Sequence, residues 1–85
     1  MNHMVYIIYT EKHDKYYRGY SINPFRRLEQ HNNGESKYTS NYAPWRLVYI
    51  QSYESKAEAL KREKALKKYS KYQLKDLIRS TLNEL

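Results

Sequence analysis

Met4-Val5-Tyr6-Ile7-Ile8-Tyr9 and Lys15-Tyr16-Tyr17-Arg18-Gly19-Tyr20, separated by the polar segment Thr10 to Asp14, decide the fold. Both stretches are rich in β-branched and aromatic residues, whose side chains pack well on a pleated surface. The short polar segment between them closes an antiparallel hairpin. Gly19 gives a strand nothing to pack, so it marks a bulge or a close approach to the backbone.

Outward from the hairpin, Asn23 can cap a helix whose first residue is Pro24, where a missing N–H costs nothing. The helix is expected from Pro24 to about His31, packed on the sheet through a Phe25–Leu28 seam and stopped by Asn32-Asn33-Gly34. A polar loop follows from Glu35 to Ala43, and its lack of either period makes it the expected mobile segment. Trp45 to Tyr53 alternates as a third strand. Ser55-Lys56-Ala57-Glu58 and Ser70-Lys71-Tyr72-Gln73 both fit a capping box. They open one helix reaching about Tyr69 and a last one burying Leu74, Leu77, Ile78 and Leu82. The expectation is a single α+β domain over residues 1–85, a three-stranded antiparallel sheet flanked by helices in the order β-β-α-β-α-α.

Sixteen Lys and Arg against nine Asp and Glu give a net charge of +7 in 85 residues. Such a field attracts polyanions, of which nucleic acid is the commonest. There is no cysteine, which excludes disulfides and thiolate metal sites and fits a reducing cytoplasm. No apolar run approaches the roughly 20 residues of a membrane span. Met1-Asn2-His3-Met4 lacks the basic segment and long apolar stretch of a signal peptide. The eleven tyrosines can stack on bases, bond phosphates or relay protons, yet most of them suit ordinary half-buried strand positions.

Glu63 is the position that packing alone explains least. With ~100° per residue and Ala59 at zero, Leu66 falls near −20°, Leu60 near 100° and Glu63 near 40°, so a carboxylate lies within the apolar stripe. Burying it is costly unless it is paired or binds a metal, and a salt bridge to an arginine at the core edge satisfies it as well. Arg27 and His31, four apart, project from one helix face. Together they can hold a phosphate from two sides, or stand solvated. Tyr6 and Tyr17 have no local feature that sets them apart from packing tyrosines. There is no Gly-rich phosphate loop and no His or Asp cluster with metal spacing.

Met4-Val5-Tyr6, followed ten residues after Tyr6 by Tyr17-Arg18-Gly19, resembles the signature of the GIY-YIG nuclease superfamily. Arg27, His31 and Glu63 continue the pattern in order. The later half, with Lys37-Tyr38-Thr39, Pro44-Trp45-Arg46-Leu47-Val48-Tyr49 and Glu58-Ala59-Leu60-Lys61-Arg62-Glu63-Lys64, is similar to the small stand-alone bacterial members. The likeness covers about residues 4 to 69. Met4 stands where the family has its first glycine, and Arg18 where it has its second isoleucine.

The resemblance implies an endonuclease that hydrolyses phosphodiesters by in-line attack of water, with one divalent cation, Mg²⁺ or Mn²⁺, on the single carboxylate of Glu63. Tyr6 would take the proton of the attacking water, helped by Tyr17 or His31 and with its pKa lowered by nearby cations. Arg27 would stabilise the charged transition state. Arg18, Arg26, Lys37, Lys61 and Lys64 are the expected nucleic-acid contacts, and DNA is favoured over RNA. Larger members take their target from an attached domain, so here specificity is expected to come from DNA shape or from a separate targeting protein. The alternative is a non-catalytic module binding structured RNA or branched DNA, which has no use for a carboxylate among basic residues. An adaptor docking an acidic protein is a third reading, and salt-dependent DNA binding separates it from the other two.

Overall fold

Hairpin chemistry sets the order of the sheet. In the computed structural model, which describes residues 3–85, β1 (His3–Thr10) pairs antiparallel with β2 (Lys15–Ser21) on one side and with β3 (Arg46–Tyr53) on the other, giving the order β2-β1-β3. Met1 and Asn2, part of the stretch read for a signal peptide, lie outside the described residues. In the turn, Asp14 takes a left-handed φ of 52°, a conformation Asp tolerates better than most residues. Its carboxylate accepts from the Tyr9 hydroxyl at 2.9 Å and from Lys71 at 2.8 Å.

The register sorts the side chains onto two faces, because directly paired residues share a face. Val5 opposite Tyr20 and Ile7 opposite Arg18 and Tyr49 define one face; Tyr6 opposite Gly19 and Ile8 opposite Tyr17 and Leu47 define the other. A register shift in the β1–β3 pairing falls between Ile7 and Ile8. The first face carries the larger core: Val5, Ile7 and Tyr49 pack with Ala59 and Leu66 of α3 (Lys56–Leu66) and with Leu74 and Leu77 of α4 (Lys71–Ile78). The second face packs Tyr6, Ile8 and Trp45 with Leu28 of α1 (Pro24–Asn32).

The helix starts follow the expected chemistry. Asn23 Oδ1 accepts from the Arg26 amide at 3.2 Å, with Pro24 beside it. Ser70 and Gln73 form a complete capping box. At Ser55 only half of the box forms: its Oγ accepts from the Glu58 amide at 3.1 Å and bonds the Glu58 carboxylate at 3.2 Å.

Four expectations are corrected. The helix from Ser55 ends at Leu66, not Tyr69, because the chain tightens there. Lys68 and Tyr69 bond back three residues to Ala65 and Leu66, while Arg18 reaches across to the Leu66 and Lys67 carbonyls at 3.1 and 3.2 Å. Leu82 is exposed, lying beyond the end of α4. The Phe25–Leu28 seam does not form, since Phe25 is exposed while Pro24 and His31 are buried. Pro24 is within about 20° of His31 on a helical wheel and Phe25 about 120° away. Finally, the polar loop contains a short helix, α2 (Lys37–Ser40). Its base is clamped: Asn32 accepts from the Trp45 amide at 2.6 Å and donates to the Trp45 carbonyl at 3.0 Å. No helix among the described residues is long and apolar enough to cross a membrane.

Candidate active site

The site is built on the second face, where β1 presents Tyr6 toward α1. The Tyr6 ring lies directly over Gly19, and any Cβ at position 19 would overlap it. Gly19 therefore marks a close approach, and its backbone needs no special conformation. Beyond Gly19 the Tyr6 hydroxyl meets His31 Nε2 at 2.8 Å, and His31 Nδ1 meets Thr39 Oγ1 at 2.6 Å. The Thr39 hydroxyl has a further acceptor in the Ser36 carbonyl at 3.4 Å. Read in one direction, Thr39 donates to Ser36 and accepts from His31 Nδ1–H, which leaves Nε2 as the acceptor of the Tyr6 proton. That tautomer satisfies every polar atom in the line.

This line explains why an imidazole can occupy the fully buried position of α1. His31 and Thr39 have no exposed surface, and Tyr6 is 1% exposed. Burying two polar rings is tolerable only because they satisfy each other. Burial holds His31 down to about 4, with the Arg27 charge acting the same way, so the ring is neutral at physiological pH. Burial pushes Tyr6 up to about 12, although Arg27 pulls the other way. Nearby cations were expected to lower this phenol. Arg27 does so, and desolvation outweighs it.

Tyr17, diagonal to Tyr6 on the same face, meets the His31 ring edge-on at a centroid separation of 5.0 Å. Arg27 is half-buried, lies close enough to Tyr6 to perturb its ionisation, and donates to Gln30 Oε1. Tyr6, Tyr17, Arg27 and His31 are thus brought together.

Glu63 reaches the group differently. Its helix covers the opposite face of the sheet, through Ala59 and Leu66. Its carboxylate is nevertheless within electrostatic range of the Tyr6 phenol and raises its pKa. β2 is the edge strand beside β1, and at Gly19 it places no side chain over Tyr6. The Glu63 side chain is 17% exposed, and its ion-pair partner is Lys67, one turn on, at 3.5 Å. The expected arginine is not that partner.

The expected nucleic-acid contacts divide. Arg26 and Lys37 are exposed on α1 and α2, the side of the sheet that carries Tyr6. Lys64 is exposed on α3. Lys61 points about 160° away from Glu63 around the helix and lines a hollow with Tyr53, Glu58 and Arg62. Arg18 spends its donors on the backbone carbonyls of Tyr16, Leu66 and Lys67, so it clamps the end of α3. Thr39, Asn32 and Lys67 were missed by sequence reasoning. Lys67 was findable as the i+4 neighbour of Glu63; the other two act through contacts distant in sequence.

Among the described residues no group of three or more His, Cys, Asp or Glu comes together, so Glu63 belongs to no such cluster. One partly exposed carboxylate, held only by a lysine that can swing aside, suits a hard cation that keeps most of its waters.

A model of the GIY-YIG catalytic domain matches residues 2–76. UPF0213 proteins from several strains of Staphylococcus aureus are 40% identical over 79 residues, covering 92% of this chain and 95% of theirs. Among solved structures, the solution NMR structure of a UPF0213 protein from Bacillus halodurans superposes with a TM-score of 0.60 at 33% identity, covering 99% of this chain and 89% of that one.

Proposed function

The chain belongs to the GIY-YIG nuclease family, and on that premise we propose that it is an endonuclease that hydrolyses phosphodiester bonds in DNA with one divalent cation. The observation that carries this reading is the buried hydrogen-bonded line from Tyr6 through His31 to Thr39, beside Arg27 and within range of the Glu63 carboxylate. A module that only binds needs no buried proton path under its phosphate-facing surface.

In this mechanism the water gives its proton to the Tyr6 oxygen as the Tyr6 proton moves to His31 Nε2. A phenol with a pKa of about 12 is a weak acid and its neutral form a weak base, so neither group acts well alone. The concerted transfer avoids a free phenolate; it leaves His31 protonated on both nitrogens, a cation that burial and Arg27 disfavour, so the ring must hand that proton on to the leaving oxygen or to solvent to close the cycle. Thr39 fixes the His31 ring and its tautomer. Arg27 supplies fixed positive charge where the phosphorane develops negative charge. Glu63 would hold Mg²⁺ or Mn²⁺, which supplies Lewis-acid polarisation of the phosphate and the leaving oxygen. Tyr6 is almost fully covered, so the reading requires that substrate binding open a water-sized path to its hydroxyl.

Net charge +7 supports binding through phosphates, with Arg26, Lys37 and Lys64 as contacts. A cysteine-free chain is suited to the cytoplasm, and a separate protein would supply targeting. The test is a panel of labelled duplex, single-stranded, flap and junction DNAs incubated with Mg²⁺, Mn²⁺ or EDTA. Cleavage of at least one substrate, abolished by EDTA, is the expected result. Binding with no cleavage in either metal would favour the alternative of a non-catalytic module.

A further inference from the structure

The second face carries a row of aromatic rings that the proton line does not use. From His31 the row runs to Tyr17, then to Tyr38 on α2 with centroids 6.2 Å apart, then to Tyr42 at 5.5 Å, and ends at His13 in the hairpin turn at 5.3 Å. Lys15 Nζ sits over the Tyr42 ring, 5.2 Å from its centroid. Tyr17 and Tyr42 rest partly on the Tyr6–Ile8–Trp45 core, but that packing does not account for the exposure of the row. Tyr38 is 58% exposed, and Tyr42, Tyr17 and His13 are half-exposed. Leaving a ring this wet costs apolar burial that the same residue could gain elsewhere. Positive charge flanks the row at Lys15 and Lys37, both exposed. Exposed aromatic rings in sequence, spaced a few ångströms apart and bordered by cations, are what an unpaired strand requires: bases stack on the rings and phosphates meet the lysines. A duplex cannot use such a row, because its bases are already stacked on one another.

We infer that Tyr38 and Tyr42, with His13 and Lys15, form a stacking track for an unpaired DNA strand leading to Tyr17 and the candidate active site. The inference rests on the nuclease reading for the direction of the track and names its substrate: DNA with a single-stranded segment next to the scissile phosphate. The fold links track and site through α2. Tyr38 faces out into the track, while its neighbour Thr39 faces in and holds His31 at 2.6 Å. Thr39 also accepts from Trp45 Nε1 through its carbonyl at 2.8 Å. A strand pressing on Tyr38 therefore bears on the helix that orients the imidazole.

The test is fluorescence anisotropy in EDTA, where no cleavage occurs, with a labelled oligo(dT) and with a blunt hairpin duplex of equal phosphate count. The proteins are wild type, Tyr38→Ala, Tyr38→Phe and the double variant Tyr38→Ala/Tyr42→Ala. Loss of one stacked base predicts roughly tenfold weaker oligo(dT) binding for Tyr38→Ala, a further loss in the double variant, and near-wild-type binding for Tyr38→Phe, which keeps the ring and loses only the hydroxyl. Duplex binding should be unchanged in all three. Tyr38 is largely exposed, so the variants should fold, and unchanged far-UV circular dichroism checks this. Oligo(dT) binding unaffected by Tyr38→Ala, or equal losses on oligo(dT) and duplex, would overturn the track. Because no metal or cleavage is involved, a chain that binds this way and never cuts would refute the nuclease reading and leave the track standing.

Discussion

At position 19 the requirement is space, since the Tyr6 ring lies where a Cβ would stand. Gly19→Ala must displace the phenol from His31 or open the hairpin. Overpacking of this kind costs about 1–3 kcal/mol, and moving a reacting group by about 1 Å can cost on the order of 10²-fold in rate. Thermal unfolding and cleavage assays on Gly19→Ala should show both losses, and a variant with full cleavage would remove Tyr6 from its proposed role. His31 makes a prediction in pH. Its pKa is about 4 in the folded chain against an ordinary 6.5, so between these values the unfolded chain binds more protons. Stability from this residue is therefore fully present above about pH 6.5, falls as pH drops toward 4, and levels off below. The slope is at most about 1.4 kcal/mol per pH unit. Urea unfolding at pH 7, 6 and 5 should show wild type losing more stability than His31→Gln on acidification. Equal losses would mean that the imidazole is not buried neutral.

Individual elements were legible in the sequence to the extent that their chemistry is local. The strands, the Asn23-Pro24 helix start and the Ser70–Gln73 box depend on neighbours within four residues, and each formed as read. What the sequence hid depends on distant partners. The buried direction of α1 is set by Tyr6 and Thr39 accepting a polar ring, so a seam drawn from Phe25 and Leu28 pointed the wrong way. The four residues of α2 are too few to show a helical period, and the helix is held by the Asn32–Trp45 clamp. Among the five proposed site positions, Glu63 stood out through the cost of burying charge, whereas Tyr6 and Tyr17 could be picked only by resemblance. The C-terminal segment is a further non-local element. Asn83 donates to the Val48 and Ile78 carbonyls, each at 2.9 Å, and accepts from the Ile50 amide at 3.3 Å. Glu84 bonds the Ser52 amide and hydroxyl at 2.8 and 2.7 Å. Together they satisfy the outer edge of β3, which would otherwise offer unpaired groups to another chain. Asn83→Ala should destabilise the fold by about 1–3 kcal/mol in urea unfolding while leaving cleavage per folded molecule intact. An unchanged midpoint would show that the edge needs no cap.

On the scale of the whole molecule, the charge and the sheet together set the division of labour. A net charge of +7 predicts that DNA affinity falls steeply between low and physiological salt, as released counterions dictate. A flat salt titration would remove the basic surface from the account. The sheet separates the groups proposed to handle protons, on the α1 side, from the helix that carries the carboxylate, on the α3 side. Glu63 pairs with Lys67 at 3.5 Å while its field still reaches Tyr6. The most direct measurement of the central claim is therefore Glu63→Gln, assayed side by side for Mg²⁺-dependent cleavage of a labelled DNA and for binding of the same DNA in EDTA. The account predicts that cleavage is abolished while binding is retained or slightly tightened, since a negative charge has left a basic surface. Full cleavage by Glu63→Gln would contradict it.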